Sequence, residues 1–158
     1  MANRPTHSGQ HDRDPRQPHT VIHMSAGVDL DRLADALGSY GFAYLITVTD
    51  DYRVRAVEIE PAFNGRAFDI GPVGGHTRAN LARHGTATLV WPPRDPGEYS
   101  LIVDADTEKP VDPEATDPVT MVPTRALLHR PAAGDSPTCA RGHTYDCVIF
   151  KASSPASA

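Results

Sequence analysis

Phe42-Ala43-Tyr44-Leu45-Ile46-Thr47-Val48-Thr49 governs how the rest of the chain is read. It is apolar on both faces over the length of one strand, as a buried β-strand should be. Asp50-Asp51 turns the chain. Val54 to Glu60 then alternates, with Arg55, Val57 and Ile59 on one face and Val54, Ala56 and Glu58 on the other. Asn64-Gly65 is a hairpin signal, because both residues tolerate positive φ. Arg66 to Ile70 reads as a third strand. Three strands joined by tight turns predict an antiparallel meander.

Upstream, Asp29 can cap a helix through its carboxylate. Leu30, Leu33, Ala34 and Leu37 follow at helical spacing, and Gly38 offers a left-handed stop, so a helix of about three turns is expected. Residues 1–27 are polar and hold His7, His11, His19 and His23; they read as a disordered tail. Downstream, a helix is expected from about His76 to His84, ended by Gly85. Strands are expected at Thr86 to Trp91, Tyr99 to Asp104, Val119 to His129 and Tyr145 to Lys151. Pro92-Pro93 stops the first of these, and Pro123 implies a bulge or an edge in the third. Residues 104–118 hold six acids and three prolines and read as an exposed loop. Residues 152–158 read as a flexible tail. The sum is a mainly β chain with two short helices. It reads as one domain over 28–151, an antiparallel barrel, closed or partly closed, of about six to seven strands.

Composition narrows the function. The formal charge is −5, from 15 basic and 20 acidic residues. A nucleic-acid surface needs a dense basic face, so that class is disfavoured. There is no run of about 18 apolar residues for a membrane span and no apolar signal-peptide core. A cytoplasmic protein with no membrane partner is expected. Ser39 and Ser100 lack the Gly-x-Ser-x-Gly setting of a hydrolase nucleophile.

Chemistry concentrates in Gly71-Pro72-Val73-Gly74-Gly75-His76-Thr77-Arg78-Ala79-Asn80-Leu81, a glycine loop between a strand and a helix. The first amides of a helix have no internal partner and sit at the positive end of its dipole, so they bind anions. Glycine lets a phosphate approach the backbone. His76, Thr77 and Arg78 add side-chain donors there. The spacing is neither a dinucleotide fingerprint nor a Walker loop. The plainer alternative is a helix capped by Thr77 with Arg78 in solvent.

The order of these segments resembles the FMN-binding split β-barrels related to pyridoxamine 5′-phosphate oxidase, over roughly Leu30 to Lys151. Val54-Arg55-Ala56-Val57-Glu58 resembles the family's second-strand Arg-x-Val. Gly74 to Leu81 resembles its phosphate loop and helix, and Thr88-Leu89-Val90-Trp91 its next strand. Ser100 to Asp104 and Pro123 to Pro131 resemble its later strands. The resemblance implies a homodimeric oxidoreductase acting on a small molecule. FMN is the implied cofactor, with deazaflavin (coenzyme F-420) as the alternative. A non-catalytic or cofactor-free barrel is the rival reading. Arg55 and Val57 would face the ring and the start of the phosphate chain; Gly75, His76, Thr77 and Arg78 would hold the phosphate. Trp91 would cover the cofactor from the partner subunit, or else belong to the core. The family often has Lys or Arg where this chain has His76 and Thr77. Its remaining cation, Arg78, lies one residue on, about 100° further round the helix.

Tyr44, Tyr99 and His129 are further candidates for substrate contact. Cys139, His143 and Cys147 could hold a metal with His129, but the spacing is not that of a zinc knuckle, and two reduced structural thiols are the simpler expectation.

Overall fold

The computed structural model describes residues 27–134 and 142–153; residues 1–26, Cys139 and residues 154–158 lie outside that range. The described chain begins with α1 (Leu30–Leu37), capped as expected, with Arg32 N–H donating to the Asp29 carboxylate at 3.0 Å. Its eight residues make about two turns rather than three. Gly38 is right-handed, at φ −60°, not the left-handed stop expected. Its N–H donates to Asp35 O, so the last turn tightens instead of reversing.

Eight strands follow: β1 (Ala43–Val48), β2 (Val54–Ile59), β3 (Ala62–Phe63), β4 (Phe68–Asp69), β5 (Thr86–Trp91), β6 (Ser100–Thr107), β7 (Thr120–Pro131) and β8 (Tyr145–Ile149). The second helix, α2 (Gly75–His84), lies between β4 and β5. All the ladders are antiparallel. The sheet order is β2-β1-β5-β6-β7-β4-β3, with β8 also paired to β7.

The expected three-strand meander is therefore only half present. β1 and β2 pair, Ala43 with Ile59 through Val48 with Val54. The third strand does not join them: Phe68 pairs with Met121 of β7. Pro61 has no N–H to give a ladder, and at Glu60-Pro61 the chain leaves β2. Asn64-Gly65 does turn a hairpin, joining β3 to β4, with Gly65 at φ +89°.

That departure shapes the molecule. β2 and β3 stand at opposite ends of a seven-strand path. Laid flat, the ends of such a path would be roughly 29 Å apart at ~4.8 Å per strand. Ile59 and Ala62 are three residues apart, a reach of at most about 11 Å. The sheet must curl until its ends approach, and with no β2–β3 ladder the barrel stays split along that seam.

The core lies on the concave side. Leu45, Leu89, Val103 and Ala126 form one register row, all fully buried. Phe68 packs between Phe63 and Trp91, at ring-centroid distances of 4.7 and 5.4 Å. α2 lies against β1, where Asn80 Nδ2 donates to the buried Thr47 hydroxyl at 3.0 Å. Gly85 ends α2 at φ +68° as expected.

Two further expectations meet the structure. The Pro123 irregularity is a bulge: Asp104 pairs with Arg125 and Ala105 with Pro123, which leaves Thr124 unpaired. The acidic loop does not begin at residue 104, because β6 runs on to Thr107. Ala105 and Thr107 are buried on the concave face. Asp104 lies on the other face, accepting from Thr88 Oγ1 at 2.7 Å. At the chain ends, Val28 bridges to Lys151 and Asp29 N–H donates to Phe150 O.

Candidate functional site

The glycine loop opens α2 with bare amides. Gly74 is the N-cap, and no side chain caps it, Thr77 included. The first amide to bond back into the helix is that of Arg78, donating to Gly74 O at 2.9 Å. The amides of Gly75, His76 and Thr77 precede it and form the positive end of a ten-residue helix. A Cβ built on Gly74 or on Gly75 would meet nothing within 4 Å, so both glycines border open space.

That space is a pocket of about 280 Å³, walled by Arg55, Val57, Glu58 and Ile59 of β2 and by the loop from Pro72 to Thr77. Strand alternation explains the β2 wall. Arg55 and Val57 are in register with Thr47 and Leu45, whose side chains are buried on the concave face, so they turn toward α2. Arg55 is exposed and makes no ion pair or hydrogen bond with another described residue.

Five of the seven residues expected from sequence thus meet at one pocket: Arg55, Val57, Gly75, His76 and Thr77. Two do not. Arg78 is 3% exposed and points to the acidic loop, not the pocket. Its Nε donates to Asp112 O and its Nη1 to Asp117 O, both at 2.7 Å, and its Nη2 to the Asp117 carboxylate at 2.6 Å. The helical offset places it there, a third of a turn beyond the bare amides. Trp91 is 2% exposed and is a core residue of its own chain, against Phe68. A side chain so enclosed cannot cover a cofactor in a neighbouring subunit.

Glu58, Ile59, Pro72, Val73 and Gly74 complete the wall and were not expected as site residues. Ile59 was within reach of sequence reasoning, since it shares the Arg55–Val57 face. Asp117 was not, because 39 residues separate it from Arg78. Tyr44, Tyr99 and His129 do not line this pocket. Tyr44 is on the convex face against Phe42; Arg130 lies over the Tyr99 ring; His129 stacks on Tyr145. His129 is also in register with Cys147. Because Cys139 is not described, the suggested metal set is not tested as a whole. Among the described residues no three His, Cys, Asp or Glu side chains group as metal ligands, and no helix is long and apolar enough to cross a membrane.

No protein-family model matches the chain. Two uncharacterized mycobacterial proteins, Mb0449c of Mycobacterium bovis and MT0457 of Mycobacterium tuberculosis, are each 50% identical to it over 136 residues. Each alignment covers 78% of this chain and 94% of the relative. Among solved structures, a candidate pyridoxamine 5′-phosphate oxidase of Listeria innocua superposes with a TM-score of 0.51 at 13% identity, over 63% of this chain and 96% of that one. An F420 reductase reaches a TM-score of 0.45 at 17% identity, over 63% and 92%, too low to add to the assignment. The first likeness bears on fold, not activity. With a curled, split antiparallel sheet and a glycine-opened helix on its concave side, the chain has the split β-barrel fold of the pyridoxamine 5′-phosphate oxidase-like class and belongs to the family of Mb0449c and MT0457.

Proposed function

We propose that the chain binds a flavin-type cofactor, FMN or a deazaflavin, by its phosphate at the mouth of α2 and serves as an oxidoreductase in that complex. The observation that carries this reading is the pocket lined by Gly75, His76 and Thr77, whose amides are uncapped, with the unpaired guanidinium of Arg55 on its wall. Backbone N–H groups, a helix dipole and one free cation suit a phosphate. Val57 and Ile59 offer an apolar surface to whatever continues from it.

When bound, a flavin supplies the electron transfer. The protein's own residues hold the anion, lay an apolar wall along β2 and keep the bound group in one orientation. The pocket of about 280 Å³ is below the ~300 Å³ at which pockets enclose a small ligand whole. The ring would extend past the edge of β2, where a second copy of the chain can close over it. A homodimer in the cytoplasm, acting on a small molecule, is part of this proposal.

A second reading has its own support. Arg78, the cation nearest the bare amides in sequence, is already satisfied by the acidic loop. A barrel that has lost its cofactor, or that only carries one, would look the same. Visible absorbance of the purified protein, followed by titration with FMN and with deazaflavin, separates the two. Arg55→Ala is expected to weaken flavin binding by roughly tenfold to a hundredfold, the loss of one charge-assisted contact. A colourless protein that takes up neither cofactor would leave the second reading standing. Reduction of the bound cofactor by a nicotinamide donor then distinguishes enzyme from carrier.

A further inference from the structure

We propose a second ligand site, between the end of α1 and the β5–β6 loop, that takes a small zwitterion of the amino-acid type, its carboxylate on Arg130 and its ammonium on Glu98. A pocket of about 340 Å³ lies there, lined by Tyr40 after α1, by Arg94, Glu98 and Tyr99 between β5 and β6, and by Leu128 and Arg130 of β7. It shares no lining residue with the α2 pocket, so the inference stands apart from the flavin reading. Its volume falls within the roughly 300–1,000 Å³ of small-molecule sites.

Arg130 gives the pocket its direction. Leu128 is in register with the fully buried Leu101, and strand alternation puts Arg130 on the same concave side. The guanidinium carbon lies 4.4 Å from the Tyr99 ring centroid, and Nε donates to the Asp146 carboxylate at 3.3 Å. These contacts fix the plane of the group yet use only one of its five N–H donors. Nη1 and Nη2 bond to no described residue. Among the described residues no buried side-chain nitrogen or oxygen lacks a partner, so both are open to an incoming group. A fixed fork of N–H donors fits a carboxylate.

The rest of the lining carries charge of both signs. Arg94 and Glu98 are exposed, and neither forms an ion pair with any described residue. The Glu98 charge is felt inside, where with burial it raises the pKa of Tyr40. The Tyr40 hydroxyl is committed to Tyr99 O at 2.8 Å and does not compete for the ligand's carboxylate. With Asp146 behind Arg130, the guanidiniums and carboxylates balance, but they stand apart. A simple anion would meet Glu98, and a simple cation would meet Arg94. A molecule carrying both signs a few bonds apart has a partner for each, and Pro93 and Leu128 offer apolar surface to its side chain.

The test uses the full chain at neutral pH and three probes with the same ring and carbon chain: phenylalanine, phenylpropionate, which lacks the ammonium, and phenethylamine, which lacks the carboxylate. Binding is read by ligand-observed NMR titration. Phenylalanine is expected to bind about tenfold more tightly than either of the others, the size of one charge-assisted contact. Arg130→Lys keeps a charge for Asp146 but loses the fork, and should close the gap between phenylalanine and phenethylamine. Glu98→Gln, at an exposed position, should close the gap between phenylalanine and phenylpropionate. Phenylalanine binding no better than either partial probe, or not at all, would overturn the inference. So would gaps that survive the two substitutions.

Discussion

Arg78 shows how one residue's direction can change its meaning. By type and place it belongs to an anion site; by geometry it is a buried clamp on the segment from Asp112 to Asp117. A guanidinium with three good bonds and 3% exposure costs little while paired and much once a partner is lost. Arg78→Met leaves the Asp112 and Asp117 carbonyls without their donor while the half-exposed Asp117 carboxylate returns to water, so it should lower stability by about 1–2 kcal/mol, read as a shift in the urea midpoint, whereas Arg55→Ala, at an exposed position, should leave that midpoint unmoved. Tyr40 is a second informative residue. Its hydroxyl donates to Tyr99 O at 2.8 Å, and burial, with the Glu98 carboxylate nearby, raises its pKa above the ordinary 10.0. A phenol that ionises later in the folded state stabilises fully below its unfolded pKa, and that contribution is lost as pH rises through the folded value. Stability should therefore fall above pH 10.0. Tyr40→Phe should cost about 1 kcal/mol at neutral pH and flatten that alkaline decline in a pH series of thermal melts.

At the scale of elements, caps and turns were legible because they depend on neighbours in sequence. Asp29 caps α1 through a residue three positions on. Asp29→Ala should cost about 1 kcal/mol, measured by denaturant titration. Gly85 ends α2 in the left-handed region, and a Cβ there would meet Thr107 Oγ1 at an ordinary 3.6 Å. Gly85→Ala should therefore cost about 1 kcal/mol from backbone strain alone, and Gly85→Asn less. If alanine there costs several times more, crowding at Thr107 is the cause instead. Element lengths were less legible. Asp104 and Asp106 looked like the start of a loop, since acids are rare in strands. They belong to β6 because Ala105 and Thr107 between them are buried, and Asp104 has Thr88 and Arg125 across the neighbouring strands.

Across the whole molecule, the convex face of the sheet carries a register row of Tyr44, Val90, Ile102, Leu127 and Ile149 across five strands. Tyr44 and Ile149 at its ends are exposed. Leu127 between them is buried, and under the dimer proposal the exposed ends, Tyr44 and Ile149, are where this face would meet a second copy. The expected outcome in light scattering at micromolar concentration is twice the chain mass, and Tyr44→Asp with Ile149→Asp should reduce it to one. A single-chain mass for the unmodified protein would end the dimer proposal. Seven of the eight strands in outline, both helices, the turn at Asn64-Gly65, the shared face of Arg55 and Val57 and the anion-binding character of Gly75 to Thr77 were legible in sequence, because period, capping and turn chemistry act over a few residues. β3 was not foreseen, and only the resemblance put Arg55 and Val57 at a pocket. Only the tertiary structure decided that Phe68 pairs with β7, that Arg78 closes on Asp117 and that Trp91 is core. Each of those depends on which distant segments the curled sheet brings together, and local sequence does not encode that distance.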